Sequence, residues 1–267
     1  MYAAAYILWV PLHPKDEESE KLLQAKAKKI KKSSKQWNIA ILIYLRMTRK
    51  KTITTDMKTI NVPKIAPAGD LEKIFATLPE HAISCCNWPA EFPYSPKATF
   101  KLFHDGKRLY IKFYVTENDI KAVVTEDQGR TWTDPCVEFF VSPEGNLDYY
   151  NFECTCTGKL LLAWHPANAP KEAAGKDVLE SVVRTPSLGT EPFELRKGEH
   201  SWSVIEIIPA TALFRSDIEC FCGKEMTANF YKCGDELPTP HFLSWNPIEW
   251  EEPSFHRPEQ FGKLIFE

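Results

Sequence analysis

Residues 98–119, ATFKLFHDGKRLYIKFYVTEND, constrain the fold of this chain more than any other stretch. Two runs of alternating apolar and polar residues, Thr99–Phe103 and Leu109–Thr116, flank His104-Asp105-Gly106-Lys107. A period of two puts one side of each run on a core and the other outward. An Asp-Gly pair between two such runs is the strongest short hairpin signal a sequence carries. The pattern therefore predicts two antiparallel strands whose apolar sides must be covered by a second layer.

Further runs of the same kind follow. Val137–Val141 is closed by Ser142-Pro143-Glu144-Gly145-Asn146, and Asp148–Thr155 turns through Thr157-Gly158 into Lys159–Trp164. After a loop over Pro166–Lys176, strand patterns return at Trp202–Ile208, Met226–Cys233, His241–Trp245 and Lys263–Phe266. Turn residues separate them, no internal repeat is visible, and helical periodicity is confined to one turn at Pro209–Phe214. Strands at this spacing predict an all-β, two-layer antiparallel β-sandwich, jelly-roll-like in class.

Residues 1–56 read differently. They hold 12 Lys/Arg against 5 Asp/Glu, whereas the remainder holds 21 against 31. A lysine-rich stretch, Lys15–Lys35, lies between two apolar runs, Ala3–Leu12 and Trp37–Leu45. Neither run approaches the roughly 20 apolar residues that a spanning helix needs, so no transmembrane segment is expected. A basic segment beside an apolar one can also rest on a membrane surface. The expected organisation is a non-core basic extension over 1–56, with Met57 as the working start, and one β domain over 57–267.

Charge and cysteine content narrow the function. The acidic body argues against nucleic acid as a partner, because phosphate contact needs a basic surface. The eight cysteines include the pairs Cys154/Cys156 and Cys220/Cys222, whose i,i+2 spacing places both thiols on one side of a strand near the upper limit for bridging. No CxxC or HxxxH partner stands at zinc-ligand spacing. Reduced cysteines are the expectation, with disulfides or a metal as the alternatives. With no secretory signal evident, this favours the cytoplasm, an extracytoplasmic location being the alternative. Nucleotide and hydrolase signatures (Walker A, GxGxxG, GxSxG) are absent.

Three segments carry a resemblance. They are Gly129–Phe140, with Trp132 followed six residues later by Glu138 in the strand Val137-Glu138-Phe139-Phe140; Asn229–Asp235; and Leu243–Pro247 followed by Ser254–Leu264 with its Phe261-Gly262-Lys263-Leu264. In this order they resemble the family 9 carbohydrate-binding modules, in particular stand-alone family-9-like proteins. The resemblance implies a β-sandwich that binds a mono- or oligosaccharide without catalysis, often beside a glycoside hydrolase in glycan breakdown. It implies that Trp132 is one platform aromatic, that Glu138 accepts bonds from sugar hydroxyls, and that Phe255 stands where the second aromatic, usually Trp, belongs. No cofactor is implied beyond a structural calcium ion, whose ligands no motif here marks.

The same residues can be read without the family. A sugar presents an apolar C–H face and a rim of hydroxyls, so its site needs flat aromatics and planar polar groups. Trp132 in a polar loop has little core to join. Glu138, between Val137 and Phe139, faces away from the core, either as a ligand group or as an exposed carboxylate. Asn151 and Glu153 share a face and add hydroxyl partners or a solvated surface. Arg130 and Arg257 can donate bidentate pairs or stay solvated. Trp245 reads as core and Trp250 as an exposed rim. Three rival classes stay open: a glycoside hydrolase using two of Glu138, Glu153 and Asp235; a haem carrier, disfavoured by the lack of clear axial ligands near Met226; and a scaffold sandwich that binds no sugar.

Overall fold

The computed structural model describes residues 57–267; the N-terminal stretch 1–56, with the extension expected there, lies outside the described residues. The Asp-Gly hairpin forms as read, and longer: β4 (Lys97–His104) pairs with β5 (Arg108–Ala122), joined by a turn in which Gly106 takes φ +101°. Asp105 Oδ1 accepts from the Lys107 and Arg108 amides at 2.9 and 2.7 Å, which closes the turn.

In chain order the remaining strands are β1 (Thr59–Val62), β2 (His81–Ala82), β3 (Cys85–Cys86), β6 (Cys136–Ser142), β7 (Tyr149–Thr155), β8 (Leu160–His165), β9 (Glu172–Ala173), β10 (Val183–Pro186), β11 (Phe193–Pro209), β12 (Glu225–Cys233), β13 (Phe242–Ser244) and β14 (Gly262–Phe266). One sheet has the order β1-β14-β12-β6-β7-β8-β9, with β13 attached to β12 and β3 to β13. The other has the order β10-β11-β5-β4-β2. All pairings are antiparallel except β1 with β14. The two-layer antiparallel sandwich expected from the sequence is the observed fold.

Between the sheets lies an aromatic and aliphatic core. Val137, Phe139 and Val141 of β6, Phe230 of β12 and Phe152 of β7 face Phe100, Phe113, Trp202 and Val204 of the opposite sheet. Phe100 and Phe230 stack across the interface with centroids 3.7 Å apart. Trp245 is core, as its apolar run suggests. Two short helices were not legible: α1 (Leu71–Thr77), capped by Asp70, and α2 (Lys176–Ser181). α1 buries Phe75 against Phe103 and Tyr110 on the outer side of the smaller sheet. No helix among the described residues is long and apolar enough to cross a membrane.

The outer side of the larger sheet differs from expectation. Every residue of β6 and β7 is buried, not only the alternate ones. The covering comes from outside the sheet: Trp88, Phe92, Ile248, Phe255 and Phe261 pack onto Phe140, Tyr149 and Tyr231. Gly262 shows how close the C-terminal segment lies. A Cβ there would collide with the Trp245 ring and lie 2.7 Å from the Lys58 carbonyl oxygen. Gly262→Ala is therefore expected to destabilise the fold by roughly 1–3 kcal/mol, the range for overpacking, measured by urea unfolding. An unchanged midpoint would mean that Trp245 can shift at no cost. This glycine in the F-G-K-L motif is needed for packing.

Candidate carbohydrate site

Where the cover ends, the outer side of the larger sheet opens into a pocket of about 270 Å³. Its floor is a ladder. Glu153 of β7, Glu138 of β6 and Tyr231 of β12 are successive cross-strand partners. The row beside it runs Thr155, Cys136, Cys233. Pairing register alone therefore brings two carboxyl groups and two thiols, distant in sequence, onto one patch of sheet.

Trp132 stands at the rim on a short 3-10 turn, Thr131–Thr133, anchored where the Asp235 amide donates to its carbonyl at 2.9 Å. The same turn aims Thr131 at the floor, its hydroxyl donating to Glu153 Oε2 at 2.9 Å. Asn151 Nδ2 donates to Glu153 Oε1 at 2.7 Å, while Asn151 Oδ1 accepts from the Ala163 amide and pairs with His165 Nε2 at 3.0 Å. Glu153 is thus held from two sides before any ligand arrives. Glu138 accepts from the Cys233 thiol at 3.1 Å.

Burial dominates the titration of this floor. It raises Glu138 well above the usual carboxyl range, with Cys233 and Glu153 adding to the effect. Glu153 is also raised by burial, opposed by its bonds from Thr131 and Asn151 and by the charge of Lys171. Asp235, on the pocket wall, is raised to about 6, chiefly by burial. Two carboxylates as direct cross-strand partners repel when both are charged, and Glu138 is the one that keeps its proton more readily.

Of the six residues singled out from sequence, Trp132, Glu138, Glu153 and Phe255 line the pocket. Three expectations are corrected. Glu138 and Glu153 are not on an exposed face but buried at 3% and 5% exposure, because the C-terminal segment covers that face. Asn151 is buried beneath Glu153 and positions it instead of lining the pocket. Arg130 points to solvent, where it donates to Glu236 at 2.7 Å and lies 5.9 Å from the Trp132 ring centroid. Phe255 is only 8% exposed, and one of its faces is taken by Tyr231, stacked at 4.2 Å. It contributes a wall more than a free platform. Trp250 is exposed as expected, with Arg257 over its ring at 3.3 Å, and neither lines the pocket.

Lys171, Phe242, Pro253, Ser254 and His256 also line the pocket, though none was singled out as a site residue from the sequence. Lys171 and His256 sit in irregular segments, where no periodicity marks a side chain as inward. His256 Nδ1 bonds Tyr149 Oη at 2.7 Å, and burial lowers its pKa to about 4, so it is a neutral wall.

A two-layer sandwich with an aromatic rim over paired acidic groups on a sheet face has the make-up of a carbohydrate-binding module. Residues 70–266 match the family model described as carbohydrate-binding family 9, and the chain belongs to that family. A candidate carbohydrate-binding protein from Bacteroides uniformis has a crystal structure that is 42% identical, covering 79% of this chain and all of that one, with a TM-score of 0.77. Two structures of a family 9 module from Caldicellulosiruptor kristjanssonii, in complex with glucose and with cellotriose, are 13% and 14% identical. Their TM-scores are 0.52 and 0.50; each covers 79% of this chain, and 96% and 94% of its own. They share the fold. Among proteins with curated descriptions, none matches in sequence.

Proposed function

We propose that this pocket binds the terminal ring of a mono- or oligosaccharide without cleaving it. The observation that carries the reading is the placement of Trp132 beside the Glu138–Glu153 pair in one pocket of a family 9 chain. The indole offers a flat apolar surface to the C–H side of a sugar, and Phe255 closes the other wall. Glu153, held by Thr131 and Asn151, is ready to accept from ring hydroxyls, and Glu138, carrying a proton, can donate as well as accept. Both carboxyl groups rise from the same floor as neighbours on paired strands. That arrangement suits recognition of adjacent hydroxyls better than the acid and nucleophile of a hydrolase, which flank the scissile bond. Such a module serves glycan breakdown by holding a sugar near a separate glycoside hydrolase.

Isothermal titration of the full chain with glucose, cellotriose and a panel of other mono- and disaccharides tests the reading. Trp132→Ala is expected to weaken binding by roughly 1–3 kcal/mol, the scale of one desolvated aromatic contact, or about 5- to 150-fold. Unchanged affinity in that variant removes Trp132 from the site. A folded protein that binds nothing in the panel points instead to a sandwich used as a scaffold.

A further inference from the structure

We propose that Cys136, Cys233 and Glu138 form a binding site for a thiolate-preferring divalent cation, zinc in kind, in the floor of the pocket. The argument begins with register. Cys136 and Cys233 are direct cross-strand partners on the central strands β6 and β12, and Glu138 follows Cys136 by two residues, on the same side of the sheet. One ligand atom from each lies within 4.8 Å of the others, and all three residues are buried. Tetrahedral zinc bonds of about 2.3 Å to sulfur and 2.0–2.2 Å to oxygen set ligand atoms about 3.5–3.8 Å apart. The observed cluster needs only a small inward movement to reach that spacing.

Chemistry and location agree. Two sulfurs and one carboxylate oxygen suit zinc and its heavier relative cadmium, and suit an oxygen-seeking ion such as calcium poorly. The ligands sit on paired central strands instead of loops, so their spacing is fixed by the ladder. Other buried thiols differ: Cys154 and Cys156 face the core between the sheets and belong to no three-ligand cluster among the described residues. Cys233 and Glu138 also line the pocket, so the three protein ligands leave a fourth position open towards it. A water molecule occupies that position in a three-ligand zinc site, and a sugar hydroxyl can replace it. On coordination both thiols and the Glu138 carboxyl group give up their protons to solvent, and the two sulfurs and a carboxylate oxygen bond the metal.

The test uses the full chain carrying Cys85→Ser, Cys86→Ser, Cys220→Ser and Cys222→Ser, which removes the two partly exposed thiol pairs elsewhere. Reduced protein is titrated with cadmium, following the ultraviolet thiolate-to-metal charge-transfer band. The expected result is a saturable band at one ion per chain that zinc displaces, and that is lost in Cys136→Ser and in Cys233→Ser. Near-ultraviolet circular dichroism checks that each variant is folded. Should Cys136→Ser not fold, Cys233→Ala and Glu138→Gln are read in its place. A band that persists in folded Cys233→Ser or Cys233→Ala, or no saturable binding at all, overturns the site. So does a Cys136–Cys233 disulfide found by peptide mapping of the protein as isolated. Because the band reports the cation alone, a chain that binds cadmium but no sugar leaves this site standing and refutes only the sugar reading.

Discussion

Replacing Lys232 with methionine is expected to destabilise the protein by roughly 3–5 kcal/mol, the cost of stranding the partner of a buried ion pair. Lys232 lies on the core side of β12 with no solvent exposure, and its Nζ is 2.9 Å from Oε2 of the equally buried Glu117 on β5. The ammonium group also donates to the Cys233 carbonyl at 2.7 Å and to His241 Nε2 at 2.8 Å. Glu117 in turn accepts from Trp202 Nε1 at 2.7 Å. His241 can accept because burial first, and the lysine charge second, lower its pKa to about 2 and keep the ring neutral. Methionine fills the space but leaves the Glu117 carboxylate inside the core without a counter-charge. A hydrophobic pair in place of both charges is often neutral, so Lys232→Met with Glu117→Leu should recover most of the loss. Urea unfolding of the two single variants and the double gives the coupling directly. A loss below about 1 kcal/mol in Lys232→Met would mean that water reaches Glu117 and that the pair is not a buried one. The outcome bears on the site, because Lys232 is followed on β12 by Cys233, whose side chain lines the pocket. A pair that ties β12 to β5 at this point favours one register for both.

Much of the sandwich was legible because most strands have one side in the core and alternate accordingly. Where that condition fails, the sequence is silent. β11 begins nine residues before the run at Trp202, but its first half, Phe193–Ser201, is exposed almost throughout and has no alternation to read. The helices α1 and α2 bury one residue each, Phe75 and Leu179, too few to show a helical period. In the site, Trp132 and Glu138 were legible because one short segment carries both. Asn151 and Glu153 were correctly placed on one side of their strand, yet period two says nothing about what covers that side. The cover is formed by Trp88, Phe92 and the C-terminal segment, and it turned an exposed face into a buried floor. The Cys136–Cys233 pair lay beyond reach for a related reason. Only the register of β6 against β12 brings those thiols together, and no local pattern encodes it.

Glutamine in place of Glu206 is expected to stabilise the protein in mild alkali and to change little in mild acid. Glu206 belongs to β11, between Ile205 and Ile207, with its carboxyl group buried in the protein and neither oxygen in a hydrogen bond of ordinary geometry. Burial raises its pKa to about 8; the charge of Arg184 and the Cys154 thiol oppose the rise without cancelling it. The unfolded chain releases this proton near pH 4.5, the ordinary value for the group. Between those two limits the folded state therefore holds a proton that the unfolded state has lost. Stability conferred by the neutral carboxyl is complete below about pH 4.5 and is lost progressively as the pH rises to about 8. At about 1.4 kcal/mol for each pH unit, the full span is on the order of 5 kcal/mol. The amide of glutamine has no proton to lose, so Glu206→Gln removes this slope. His165 and His256, each lowered to about 4 by burial, give an opposite slope below their ordinary 6.5. That slope is common to both proteins and cancels in their difference. Urea unfolding of the two proteins at about pH 5, 7 and 8.5 should therefore give free energies that diverge in favour of the variant as the pH rises. Parallel curves would place the Glu206 proton equilibrium near its ordinary value, which requires water or a cation to reach the carboxyl group inside the core.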